Sequence, residues 1–385
     1  MSAEPIKLGV LLPRSQIYPA MGANLLAGLR LALAGEGVPP TTLVAAESGF
    51  GQSMAEERAK QLLQWEQVDL LIGLLGVNVA AALQPLVEAR GCPCIAVNCG
   101  ENIPRAHELY PLLFQHTLGL WQANYALGQW AATAIGPTAL ISQSFYDSGY
   151  DLPFAFRLGF EHAGGQIAFG LLSHVPPDRG SFDQLFQQAA TLRPDLIFAS
   201  YCGPAASQFV RAYAEAGLAG RIPLLGSGML TDAPLLAEQG AAALGVRTAR
   251  AWPETPTTSV GHAFAAAYHA QHQQLPDGFA ILGFELGLLV AQALAAVAPA
   301  QTAPDQLRKA LAEAAADGPR GRLAFDPQTR STAPETIFLR EVQRSTAGVT
   351  NVAVAELPAP DLADSCFEPA RTGLRSGWLN TYLSA

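Results

Sequence analysis

Ile6-Lys7-Leu8-Gly9-Val10-Leu11-Leu12 is the stretch from which the fold can be read. Five of its seven residues are large and apolar, and Lys7 is its one charge. A short apolar run of this kind predicts a strand covered on both faces. Residues 22–34 then repeat apolar positions at helical spacing. The alternation continues with a strand over 43–46, a helix over 54–64, a strand over 68–75, a helix over 79–90 and a strand over 94–98. Strand and helix alternating at this pitch predict βαβ units with right-handed crossovers on a parallel sheet.

The pattern restarts further on. Residues 138–142, 167–172, 196–200, 223–225 and 246–251 are predicted strands, and 152–163, 182–192 and 205–216 predicted helices. Two of these helices end in the glycines a helix C-terminus favours, Gly164-Gly165 and Gly217. An extended segment, 112–119, lies between the two sheets and could pass from one lobe to the other. Beyond Trp252, helices are predicted over 260–274, 279–297 and 304–316, then short strands over 322–325, 336–342 and 349–354. The last stretch mixes Pro, Asp, Ser and Arg and is expected to wrap over the surface.

Composition narrows the function. The chain has 385 residues, half of them hydrophobic and 14 % charged, with a net charge of −9. That net charge argues against nucleic acid or an anionic membrane as the main partner, and with only three lysines a lysine-rich patch is impossible. The five cysteines, an odd number, do not form a disulfide scaffold, and Cys92-Pro93-Cys94 is too tight for a redox or zinc pair. They are expected to be buried small hydrophobes. His269 and His272 lie one helical turn apart but lack a completing acid, so a solvated helix face is expected and no metal. The apolar stretch 280–298 contains Glu285 and Gln292, which favours a buried helix over a membrane span. No Gly-x-Ser-x-Gly, phosphate-binding loop, His-Glu-x-x-His or dinucleotide fingerprint is present, so neither an enzyme nor a cofactor is expected. Gly226-Ser227-Gly228 follows a strand but lacks the third glycine and reads as a turn. Residues 1–5 lead straight into the first strand with no secretory leader, which implies either a cytoplasmic protein or a leader already removed.

In open parallel sheets ligands bind beyond the carboxyl ends of the strands. Those ends supply Ser15 and Tyr18, then Phe50, then Gly76, Val77 and Asn78, then Asn98, Cys99, Gly100 and Glu101. In the second half they supply Tyr146, then Tyr201 and Cys202, then Gly228 and Met229. Aromatic and polar groups mixed in this way suit a small-molecule pocket.

Several stretches together resemble the periplasmic binding proteins of the branched-chain amino-acid type, the solute receptors of ABC importers. They are Lys7-Leu8-Gly9-Val10-Leu11-Leu12-Pro13, Leu71-Ile72-Gly73, Pro93-Cys94-Ile95-Ala96, Tyr146-Asp147-Ser148-Gly149-Tyr150, Pro194-Asp195-Leu196-Ile197, Ala214-Glu215-Ala216-Gly217-Leu218 and the run from Gly318-Pro319 to Asp326-Pro327. The resemblance implies an α/β fold of two Rossmann-like lobes, each a parallel sheet flanked by helices, joined by a three-segment hinge. Lobe one would hold 1–118 and 252–320, lobe two 119–251 and 321–357, with 358–385 a surface tail. Ligand would close the lobes by hinge motion.

The resemblance also implies where an amino acid would be gripped. The Ser expected after the third strand aligns with Val77, beside Asn78, and the Thr expected after the fourth aligns with Glu101. The acid expected to hold an ammonium aligns with Gly228, between Ser227 and Met229, and the lobe-two Tyr falls near Cys202, beside Tyr201. A ligand carboxylate facing Glu101 would be repelled. The expected ligand is therefore not a standard α-amino acid. It is a small organic solute, neutral or amine-bearing, held by Glu101, Asn78, Tyr18, Phe50, Tyr146 and Trp252. Its delivery implies a membrane permease as partner. The alternative is a cytoplasmic sensor of the same fold that signals through a regulatory protein.

Overall fold

The computed structural model describes residues 5–103, 111–178, 180–297, 304–346, 348–362, 364–373 and 377–384. Its first half runs β1 (Ile6–Pro13), α1 (Met21–Leu33), β2 (Thr41–Gly49), α2 (Gln52–Gln64), β3 (Leu70–Leu74), α3 (Val77–Arg90), β4 (Cys94–Asn98) and β5 (Leu113–Thr117). These strands form a sheet in the order β2-β1-β3-β4-β5, parallel at every pairing. β3 and β4 are buried along their whole length, which is why their sequences show no polar alternation.

The second half runs α4 (Leu120–Ala134), β6 (Thr138–Ser144), α5 (Leu152–His162), β7 (Gln166–Ser173), α6 (Asp183–Leu192), β8 (Leu196–Ser200), α7 (Gly203–Glu215), β9 (Leu224–Gly226), α8 (Ala233–Gln239) and β10 (Arg247–Arg250). The chain then returns to the first half with α9 (Ser259–His272), α10 (Gly278–Ala296), α11 (Pro304–Glu313) and the hairpin β11 (Ala315–Gly318) with β12 (Gly321–Ala324). Last come β13 (Thr336–Ser345), β14 (Gly348–Pro358) and α12 (Glu368–Thr372). The second sheet has the order β14-β13-β10-β9-β8-β6-β7. It is parallel from β7 to β10 and is extended by the antiparallel strands β13 and β14.

In each half the lead helix is pressed backbone to backbone against a second helix. A Cβ on Gly28 of α1 would lie 2.1 Å from the Ala280 carbonyl, and one on Gly283 of α10 would lie 2.0 Å from that of Leu25. In the other half, Cβ atoms on Gly128 and Gly159 would meet the carbonyls of Phe156 and Tyr125 at 2.2 and 2.1 Å. α10 starts at Asp277, whose side chain accepts the Ala280 N–H at 2.8 Å. By length and composition α10 could cross a membrane, yet two thirds of its most apolar window is buried in the protein. Glu285, fully buried within it, accepts from Arg320 Nε at 2.8 Å and Arg320 N at 3.0 Å.

Three findings depart from the sequence-based expectations. The helix α4 is not expected from the sequence pattern, because all of its first nine residues are buried, which removes the polar face that marks a surface helix. The third passage between sheets falls after Thr332, not near Gly321. Gln115 of β5 still accepts from Thr332 N at 2.9 Å, and β12 is turned back by its pairing with β11. The C-terminal stretch is not a surface tail at its end, since Thr381, Tyr382, Leu383 and Ser384 are all buried. Cys92, Cys94, Cys99 and Cys202 are buried as expected, and Cys366 is exposed.

Candidate functional site

The carboxyl ends of both sheets face one cleft. On the first side, the loop after β1 brings Ser15 and Tyr18, the N-terminus of α3 brings Gly76 and Asn78, and the loop after β4 brings Glu101. On the second side, the turn after β6 brings Ser144, Tyr146, Asp147 and Tyr150, the start of α7 brings Cys202, and the loop after β9 brings Met229 and Asp232. The two sides touch directly. The Tyr18 hydroxyl donates to Asp232 Oδ2 at 2.7 Å, Asn102 Nδ2 donates to Asp151 Oδ2 at 2.9 Å, and the Asp151 amide donates to the Glu101 carbonyl at 3.0 Å.

Between these walls lies the chain's own C-terminal segment. Thr381 Oγ1 accepts from the Gly76 amide at 3.0 Å and donates to the Leu74 carbonyl at 3.1 Å. Asn78 Nδ2 donates to the Trp378 carbonyl at 2.7 Å, and the Ser15 hydroxyl donates to the Leu383 carbonyl. From the other side, Trp378 Nε1 donates to the Tyr146 carbonyl at 2.8 Å, and the Leu383 amide donates to the Tyr146 hydroxyl at 2.8 Å. The Tyr382 hydroxyl donates to Asp147 Oδ1 at 2.7 Å. Its ring stacks on Tyr146 at 6.0 Å and meets Tyr150 edge-on at 4.7 Å.

Two buried carboxyls flank this segment. Burial raises Glu101 to about 7. Among the described residues no donor meets either of its side-chain oxygens at hydrogen-bonding geometry, and the backbone amides of Glu101, Tyr382 and Cys99 only partly offset the loss of water. Burial likewise raises Asp147 to about 6, against the hydroxyls of Ser144 and Tyr382, which favour its ionised form. The neighbouring thiols, Cys99 and Cys202, are pushed well above their usual range by burial and the nearby acids, so they are neutral here.

An acid that the sequence reading did not select, Asp232, lies four residues after Gly228 and faces Tyr18 across the cleft. Burial works to raise Asp232, but the Arg250 guanidinium and the Tyr18 hydroxyl outweigh it and hold its carboxyl below the ordinary range. Arg250 also donates through Nε to the Gly228 carbonyl at 2.8 Å and lies 4.8 Å from the centre of the Trp252 ring. Asp232 therefore already has a cation, and Gly228 contributes a carbonyl to the arginine.

Of the residues singled out in the sequence, Ser15, Tyr18, Gly76, Asn78, Glu101, Tyr146, Cys202 and Met229 converge on the cleft. Cys202 Sγ lies 3.8 Å from Asp147 Oδ2, and Met229 Sδ lies 3.7 Å from the Tyr18 hydroxyl. Asn98 and Gly100 shape the loop that presents Glu101. The Gly100 amide donates to Asn98 Oδ1 at 2.9 Å, and Gly100 has φ +70°. Cys99 is buried beneath the same loop, and Val77 is the first, half-buried residue of α3. Tyr201 turns the other way: its hydroxyl pairs with Ser142 Oγ at 2.7 Å and its ring packs on Phe209 in the second core. Phe50 is 44 % exposed, and Trp252 is packed against Gly278 and Leu118 where the chain leaves the second sheet. Asp147, Tyr150, Asp232, Arg250 and the segment 378–384 were not selected from the sequence. Asp147 and Tyr150 lay in a quoted motif, but no local signal connects residue 382 to residue 147.

Comparison with known proteins gives the family. A family model described as periplasmic binding protein matches residues 5–347. The Leu/Ile/Val-binding protein homolog 6 of Brucella abortus is 24 % identical over 354 residues, 90 % of each chain. An ABC transporter substrate-binding protein from Sphaerobacter thermophilus superposes with a TM-score of 0.84 at 30 % identity, over 92 % of this chain and 98 % of its own. A solute-binding protein of an ABC transporter from R. palustris, in complex with benzoate, has a TM-score of 0.77 at 27 % identity, over 94 % of this chain and 99 % of its own. These relatives are substrate-binding proteins, not enzymes. The chain belongs to the periplasmic binding proteins.

Proposed function

We propose that this periplasmic binding protein is the receptor of an ABC importer that captures a small neutral solute carrying an aromatic ring and a hydroxyl. The two lobes divide near Leu118, near Trp252 and after Thr332, and the solute is held between them by hinge closure. By family, the receptor works in the periplasm and hands its solute to a membrane permease. The observation that carries the reading is the phenol of Tyr382, stacked on Tyr146 and edge-on to Tyr150 with its hydroxyl on Asp147. A free phenol of the same shape would find the same ring contacts and the same acceptor. The benzoate-bound relative lends support for an aromatic ligand.

The charge balance argues against an α-amino acid. A bound amino acid needs a donor-rich site for its carboxylate and an unpaired acid for its ammonium. Glu101 stands at the first position, and Asp232 at the second is already paired with Arg250. A neutral solute avoids both conflicts. Ser15, Gly76 and Asn78 provide one polar edge and Asp147 the other, with Tyr18, Tyr146 and Tyr150 as aromatic walls.

Calorimetric titration tests this directly. Heat of binding is expected with p-cresol, and none with leucine, isoleucine or valine. Micromolar binding of leucine together with silence from p-cresol would overturn the proposal.

A further inference from the structure

The family match ends at residue 347, yet the chain's last described residues lie in the cleft that the proposed function assigns to the solute. The segment 378–384 meets both walls and satisfies them as a ligand would. Thr381 fills the donor at Gly76 and the acceptor at Leu74. Trp378 and Leu383 accept from Asn78 and Ser15 while donating to Tyr146, and Tyr382 takes Asp147. The fit is steric as well as polar. A Cβ on Gly149 would lie 1.7 Å from Trp378 Nε1, and one on Gly76 would lie 3.1 Å from the Asn380 carbonyl. The indole therefore occupies space left open by a residue without a side chain.

We propose that residues 378–384 are the resident ligand of the cleft, a tethered peptide that must leave before any other occupant enters. A tethered segment acts at an effective concentration of about millimolar, so modest contacts suffice to keep the site filled. If the segment is docked in about 99 % of molecules, a competing solute binds about a hundredfold more weakly than it would to the open cleft. The inference rests on the solute reading only in taking the cleft as the receptor's binding site.

Two experiments on the full-length chain test it. Hydrogen exchange followed by mass spectrometry is expected to show amides 381–384 exchanging about a hundredfold more slowly than an unstructured peptide of the same sequence. Exchange at the unstructured rate in a folded chain would overturn the proposal. The second experiment uses the synthetic peptide Gly-Trp-Leu-Asn-Thr-Tyr-Leu-Ser-Ala, residues 377–385, added in trans. Full-length Tyr382→Ala is expected to bind this peptide at least about tenfold more tightly than wild type, and adding Gly149→Ala is expected to abolish that gain. Equal binding by wild type and Tyr382→Ala would overturn the proposal. Trp378→Ala, at a half-buried position, serves the same purpose if Tyr382→Ala does not fold. A protected segment in a protein for which every small solute fails would sink the importer reading and leave the resident peptide standing. An unprotected segment in a protein that binds p-cresol would do the reverse.

Discussion

Glu101 is where charge and burial conflict most sharply. It is fully buried, has no cation partner among the described residues and is raised to about 7 by loss of water. An acid whose folded pKa exceeds its unfolded value stabilises the fold fully below the unfolded value, near 4.3, and loses that contribution as pH rises through the folded value. Stability from Glu101 therefore drains away between about pH 4 and 7. Asp147, raised to about 6, acts in the same direction. His116, buried beside Arg320 and pushed well below its usual range, acts oppositely as pH falls. The informative quantity is thus the difference between wild type and Glu101→Gln in urea unfolding. It is expected to change by about 1.4 kcal/mol per pH unit between pH 5 and 7, with wild type gaining as pH falls. Parallel curves would mean that Glu101 is not buried in this way. The substitution pattern at this position was legible in the sequence, because Glu101 stood where the family expects a threonine. The partner of Asp232 was not legible, since Arg250 lies 18 residues away and only β9 beside β10 brings the two together.

At the scale of elements, the apolar runs of β1, β3, β4 and β8 were plain in the sequence because strands buried on both faces need no polar positions. The same physics hid α4, whose buried N-terminal half resembles neither an amphipathic helix nor a strand. The helix pairs α1 with α10 and α4 with α5 were also illegible, because a glycine that permits close approach looks like any other glycine until its neighbour is known. Gly283→Val places a branched side chain where even a Cβ would lie 2.0 Å from the Leu25 carbonyl. It is expected to lower unfolding free energy by about 3 kcal/mol, read as a lower urea midpoint at unchanged slope. An unchanged midpoint would show that the two helices do not touch through their backbones.

For the whole molecule, two sheets presenting their strand ends to one another create a cleft whose walls come from opposite halves of the sequence. The division into two sheets and the strand-end residues followed from periodicity and chain order, and the return after Trp252 from the family resemblance. The occupant did not, because a tail rich in Pro, Asp and Ser gives no sign that its last residues are buried. The proposed function requires that this cleft hold a neutral aromatic solute. Its most direct test is mass spectrometry of the small molecules released by denaturing full-length Tyr382→Ala purified from cells grown with aromatic compounds. A neutral compound with a ring and a hydroxyl is expected in the released fraction. Release of an α-amino acid instead would contradict the claim and restore the amino-acid clamp that Glu101 and the Asp232–Arg250 pair argue against.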